Sequence, residues 1–206
     1  MQFKDLGNHQ PYQLIWQSMR DTIQQADLKN WQNQIWFVEH NPVFTQGEGG
    51  QQQPLINPDN IPIIATDRGG EITYHGPGQL MVYCLFNMRQ LTISARSLIE
   101  AMEGWVIDYL ASLDIQAHRK PNQPGVFINN HKVCSLGLRI RRGITYHGLA
   151  LNVDMDLTPF QYINPCGYTN LQMTRLLDHC DDICVAHSKQ FLKAHLQSTF
   201  SPLLSL

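Results

Sequence analysis

No run of apolar residues in this 206-residue chain approaches the ~18 that a membrane-spanning helix needs. The opening MQFKDLGNHQPYQ also lacks the charged-then-apolar order of a secretory signal. Charge of one sign is missing too. Fifteen Lys and Arg stand against 17 Asp and Glu, a formal net charge of −2, so there is no global basic field to hold nucleic acid. Cysteine is sparse and unpaired in pattern. Five residues (Cys84, Cys134, Cys166, Cys180, Cys184) without CxxC spacing argue against a disulfide framework and a structural zinc site. The expected compartment is therefore the cytoplasm, with no membrane and no nucleic acid among the partners. What is present, 43% hydrophobic and 16% charged residues, is the composition of a globular protein. No linker or compositional break divides the chain, so a single domain over 1–206 is expected.

Two local features have competing readings. Arg119, Lys120, Lys132, Arg139, Arg141 and Arg142 form a basic group, either a solvated face or a docking surface for an acidic partner. Cys180 and Cys184 lie four apart near His179 and His187, either a metal cluster at helical spacing or small core residues on a C-terminal helix.

Tyr12, Ile15, Trp16, Met19 and Ile23 recur at helical spacing, which predicts an opening amphipathic helix. QIWFVEH reads as a buried strand, and the polar Gly/Gln/Pro stretch from about Thr45 to Pro62 as a loop. Three strand-like runs follow: IPIIATD, EITYH and LMVYCLFNM. ISARSLIEAMEGWVIDYLASL is the clearest helix, with Ser94 as its cap. QPGVFIN, HKVCSLGLRIRR and ITYHGLALNVD return to strands, with Asn129–Asn130 as a hairpin turn, and DDICVAHSKQFLKAHLQSTF closes the chain as a helix. This order predicts an α+β fold with a mixed, mostly antiparallel sheet flanked by helices.

The five residues ITYHG occur twice, at Ile72–Gly76 and Ile144–Gly148, but the match does not extend into the flanks. They read as two strands, each with Thr and His on one side and Ile and Tyr on the other, whose histidines share a pocket wall. In NPCGY, Pro165 and Gly167 make a turn that holds Cys166 on a loop, as an inert thiol or a nucleophile. Lys132 opens an otherwise apolar strand, as a solvent-facing strand end or as a partner of that thiol.

EHNPVFTQG, RGGEITYHGPGQL, KVCSLGLRI, HGLALNV and NPCGY, in this order, resemble the lipoyl(octanoyl) transferase family. The resemblance runs from about the opening helix to Tyr168. It implies the fold of the biotin and lipoate protein ligase catalytic domain. It also implies transfer of an octanoyl or lipoyl group from acyl carrier protein to a specific lysine. The acceptors are lipoyl domains of 2-oxoacid dehydrogenase E2 subunits and glycine cleavage H protein. The acyl group passes through a thioester on Cys166, assisted by Lys132, with no cofactor and no metal. Substrate contacts carry over to Arg68, Gly69, Gly70, Glu71, Ile72, Thr73, Tyr74 and His75, to Ser135, Leu136 and Gly137, and to Gly148, Leu149 and Ala150. A monomer is the default expectation, and an ATP-dependent lipoate or biotin ligase is the alternative on the same fold.

Activating the thiol supplies little of the rate. A thiol made 100-fold more acidic gains about 25-fold in thiolate at pH 7 but loses about 8-fold in nucleophilicity, a net ~3-fold. Positioning must carry most of the acceleration. Backbone N–H groups near Cys166 and Gly76 are the expected oxyanion donors. Lys132 is the expected base for the acceptor amine, with His75 as the alternative.

Overall fold

The structure, a computed structural model, describes residues 1–49, 59–163 and 171–200. Among these residues ten strands form two sheets. The larger takes β1 (Gln2–Asp5), β2 (Gln34–Val38), β6 (Gln79–Leu85), β10 (Ile144–Asn152), β9 (His131–Arg141), β8 (Gln123–Ile128) and β7 (His118–Lys120), in that spatial order. The smaller takes β4 (Ile63–Ala65), β3 (Val43–Gln46) and β5 (Ile72–His75). Among the described strands β1 runs parallel to β2 and β3 parallel to β4; the other pairings are antiparallel. The helices are α1 (Tyr12–Gln24), a single turn α2 (Met88–Leu91), α3 (Ala95–Ala111) and α4 (Val185–Phe200).

Side-chain alternation builds the layers. On β6, Leu80, Val82 and Cys84 face α3 and α4, whereas Met81, Tyr83 and Leu85 face α1. On β10, Leu149 and Leu151 join the first face, while Ile144, Tyr146 and Ala150 join the second. The central strands are therefore apolar on both sides, and helices cover the sheet from both. The expected mixed, mostly antiparallel sheet between helices is found. Ser94 caps α3 by accepting the Ser97 N–H at 3.0 Å, and Asn129, at φ 52°, turns β8 into β9.

Two expectations change. The loop read from Thr45 begins later, because Thr45 and Gln46 close β3 in the smaller sheet, whose existence the sequence did not suggest. The two ITYHG copies are strands, as expected, β5 in the small sheet and β10 in the large one. In β10 the alternation also fails. His147 has φ 60°, which swings its ring onto the side of Tyr146, and the two rings stack with centroids 4.8 Å apart.

Candidate active site

One half-open cleft lies on the α1 face of the large sheet. Its empty space, counted out into the open solvent at the mouth, is about 490 Å³. Arg68 to Thr73 and His75 form one wall, Ser135 to Gly137 on β9 a second, and Gly148 to Ala150 on β10 a third. Three segments up to 82 positions apart (150 − 68) thus meet in one place. Tyr74 is the exception among the residues expected there. Strand alternation turns it away, into a cluster with Phe44 and Phe160. Tyr12, Met81 and Tyr83 line the cleft without having been anticipated, and His147 stands beside them. Tyr12 sits on the buried stripe of α1, and Met81 and Tyr83 on alternate positions of β6, so in sequence they look like ordinary core.

The cleft floor is a fixed polar network. Arg68 is buried, donating from Nε to Thr45 Oγ1 at 3.0 Å, from Nη1 to the Gly69 carbonyl at 3.0 Å, and from Nη2 to the Thr45 carbonyl. Thr45 in turn lies 3.1 Å from His75 Nε2, and His75 Nδ1 lies 2.7 Å from Gln79 Oε1. Burial, then the Arg68 charge, hold His75 well below the ordinary imidazole range. The neutral ring then donates from Nδ1 to Gln79 and accepts the Thr45 hydroxyl proton at Nε2, so neither nitrogen is spare. His40 is arranged likewise. Nδ1 donates to the Gln10 carbonyl at 2.9 Å, Nε2 accepts from Tyr83 at 2.7 Å, and burial lowers its pKa to about 4.

Asp67 gathers the other end. It accepts from Trp16 Nε1 at 3.0 Å, from His147 Nε2 at 3.1 Å and from the Tyr146 hydroxyl. Burial raises the carboxyl, but these donors outweigh it and hold Asp67 well below the carboxylate range. Burial lowers His147 despite Asp67, so the contact is a hydrogen bond from a neutral ring rather than an ion pair.

Lys132, three residues before Ser135 on β9, is only 2% exposed, which rejects the solvent-facing reading. Its Nζ donates to the Pro124 carbonyl at 2.9 Å and lies 5.4 Å from the Phe127 ring centroid. Its backbone pairs with the returning chain, accepting from Thr174 N at 3.0 Å and donating to the Gln172 carbonyl at 2.9 Å. Cys166 lies outside the described residues. Cys84 and Cys134 are fully buried, and burial pushes both thiols up, which leaves neither fit as a nucleophile. Gly76 packs against the Tyr74 hydroxyl and is not among the residues lining the cleft.

The basic group does not form one face. Lys132 is buried, Arg142 donates to the Ile23 and Gln24 carbonyls at the end of α1, and Arg119 pairs with Glu103. Lys120 sits by Asn130 at one end of β9 and Arg139 at the other, roughly 30 Å apart at ~3.3 Å per residue. Cys180 and Cys184 are half-buried in the turn before α4 rather than on it, and no metal-binding group of three side chains occurs among the described residues.

A family model described as the lipoyl protein ligase A/B catalytic domain matches residues 11–197. The chain belongs to that family. An octanoyltransferase of Pseudomonas entomophila (strain L48) is 52% identical over 175 residues, 85% of this chain and 80% of that one. Others at 51% identity carry the same name, and the chain is an acyltransferase. Among solved structures, lipoate-protein ligase A bound with ATP is similar at TM-score 0.78 and 16% identity, covering 98% of this chain and 86% of that one. P. falciparum LipL1 in complex with lipoate is similar at TM-score 0.77 and 13% identity, covering 98% of this chain. This chain spans only 63% of LipL1. The fold is the expected one, shared with lipoate and biotin protein ligases. No helix among the described residues is long and apolar enough to cross a membrane.

Proposed function

We propose that this acyltransferase moves an octanoyl or lipoyl group from acyl carrier protein to one lysine of a lipoyl domain, on E2 subunits or glycine cleavage H protein. Cys166 is the nucleophile and Lys132 its partner. The observation that carries the reading is the convergence of Arg68–Thr73, Ser135–Gly137 and Gly148–Ala150 on one cleft, three positions along β9 from a buried lysine. At ~0.8 kcal/mol per buried methylene, an eight-carbon chain held there gains roughly 5 kcal/mol before entropy, enough to fix its carbonyl for attack. Lys132 takes the Cys166 thiol proton and the thiolate attacks that carbonyl, forming one carbon–sulfur bond while the bond to the carrier sulfur breaks. The proton passes from Lys132 to the carrier sulfur, which leaves as a thiol. The acceptor amine then attacks the enzyme thioester, its carbon–nitrogen bond replacing the carbon–sulfur bond. The amine proton passes through Lys132 and ends on the Cys166 sulfur. Both ring nitrogens of His75 are already engaged, which favours Lys132 over His75 as that base. The reading brings with it a monomer in the cytoplasm, checked by sedimentation and by fractionation.

The decisive experiment is intact-protein mass spectrometry after incubation with octanoyl-acyl carrier protein, without ATP. The native chain gains one octanoyl adduct, which a lipoyl domain removes, and Cys166→Ser gains none. An adduct on another residue would move the nucleophile. Transfer that starts only when ATP and free octanoate are supplied would make the chain a ligase.

A further inference from the structure

The peptide group between Pro124 and Gly125 is gripped at both ends. Its carbonyl accepts from Lys132 Nζ at 2.9 Å, and its N–H donates to Glu103 Oε1, also at 2.9 Å. A carboxylate thus stands at the positive end of one peptide dipole and an ammonium at the negative end. The other oxygen of Glu103 meets Arg119 Nε at 3.1 Å, and Arg119 Nη2 donates to the Glu100 carbonyl at 2.7 Å.

Glu103 is out of pattern. It sits in the middle of α3 beside Met102, Trp105 and Val106, residues of the main core, with its side chain only 7% exposed. A carboxylate there is costly unless paired, and an apolar residue would serve packing better. The strand it grips is equally particular. Gly125 has φ 145°, and a β-carbon on it would lie 2.6 Å from Lys132 Cε. The ladder between β8 and β9 also shifts register, from Val126 opposite Cys134 to Phe127 opposite Lys132, leaving Val133 as an extra residue. Such bulges re-aim the neighbouring side chain, here Lys132.

We infer that Glu103 is a positioning residue for Lys132: together with Arg119 it fixes the Pro124–Gly125 peptide, and that peptide fixes the lysine. The inference rests on the role proposed for Lys132. In single-turnover transfer, Glu103→Ala lowers the rate about 10- to 30-fold, with KM for the acyl donor within about 2-fold of native. Glu103→Gln, whose amide oxygen still accepts from Gly125, stays within about 3-fold. The Lys132 13Cε resonance, identified by its absence from Lys132→Met, moves in Glu103→Ala and holds in Glu103→Gln. In a Lys132→Met background, Glu103→Ala costs less than about 2-fold more. If Glu103→Ala fails to fold, Arg119→Gln at a half-exposed position gives the same resonance shift in smaller measure and about a 3-fold loss. A Lys132 resonance unmoved in these variants, or an equal loss in both backgrounds, overturns the inference. Full activity of Lys132→Met would instead remove the catalytic role of Lys132, and a shifted resonance would then still establish the positioning.

Discussion

Gly148 on β10 lies so close to β6 that a β-carbon on it would stand 2.0 Å from the Val82 carbonyl oxygen. The approach is backbone to backbone, in register with Tyr83 on one side and Gly137 on the other, directly after the left-handed turn at His147. No rotamer change can relieve it. Gly148→Ala therefore destabilises by about 2–4 kcal/mol, read as a lowered urea midpoint with unchanged slope. A change under about 0.5 kcal/mol would mean that the two strands are freer to part than this contact allows.

Ala150 follows two residues later, almost fully buried, facing the same cleft as Met81 and Tyr83. On the proposed reading, Ala150→Leu removes room for two or three methylenes. Octanoyl-carrier KM rises about 15- to 60-fold at ~0.8 kcal/mol each, while butanoyl transfer is nearly unchanged. Equal losses for both chain lengths would show that the acyl chain lies elsewhere.

How much of this was open to reading from the sequence depends on what each residue reports. The long apolar strands and α3 declared themselves, because every position in β2 and β6 is buried and alternation only divides them between two helical layers. β1 (QFKD) and β7 (HRK) are short, largely polar edges that carry no apolar pattern to detect. β3 was masked by the Gly/Gln-rich stretch that follows it. The cleft walls were legible through motif resemblance, but not Tyr12, Met81 or Tyr83, whose apolar period is the same whether they face a core or a cavity. The turn at His147 was hidden, since a non-glycine residue gives no warning of positive φ. Glu103 lies on an otherwise apolar helix face, a signal that needs the fold to be understood.

Acid should unfold the protein through its buried imidazoles. The pKa of His40 falls to about 4 in the fold against 6.5 unfolded, and burial also lowers His75 and His147. Between those values the unfolded chain binds protons that the folded one refuses, so stability is present above about pH 6.5 and is lost as pH falls toward 4. His40 accounts for about 3 kcal/mol of this, and each such imidazole adds about 1.4 kcal/mol per pH unit to the slope. Asp67, lowered in the fold, acts in the same direction at still lower pH. Urea midpoints measured from pH 7 to 4.5 should fall steadily. His40→Gln, which keeps a donor for Gln10 and an acceptor for Tyr83, should flatten the slope by one proton. A native profile flat over that range would mean that these rings stay accessible to protons in the fold.

Asp67 offers the sharpest test of the wall opposite β9. Its two oxygens tie Trp16 on α1 to Tyr146 and His147 on β10, and His147 Nδ1 in turn lies 3.5 Å from the Tyr12 hydroxyl, which borders the cleft. Asp67→Ala leaves three donors without their acceptor, and at about 1 kcal/mol for each bond the loss is roughly 2–3 kcal/mol. Asp67→Asn keeps one oxygen and should lose about half as much. Because the same bonds seat Tyr12, Asp67→Ala should also raise the acyl-donor KM severalfold while leaving the amount of enzyme thioester at saturation unchanged. If stability drops but KM holds, α1 is bound to the sheet by its apolar stripe of Ile15, Met19 and Ile23 alone, and the cleft wall does not depend on the carboxylate.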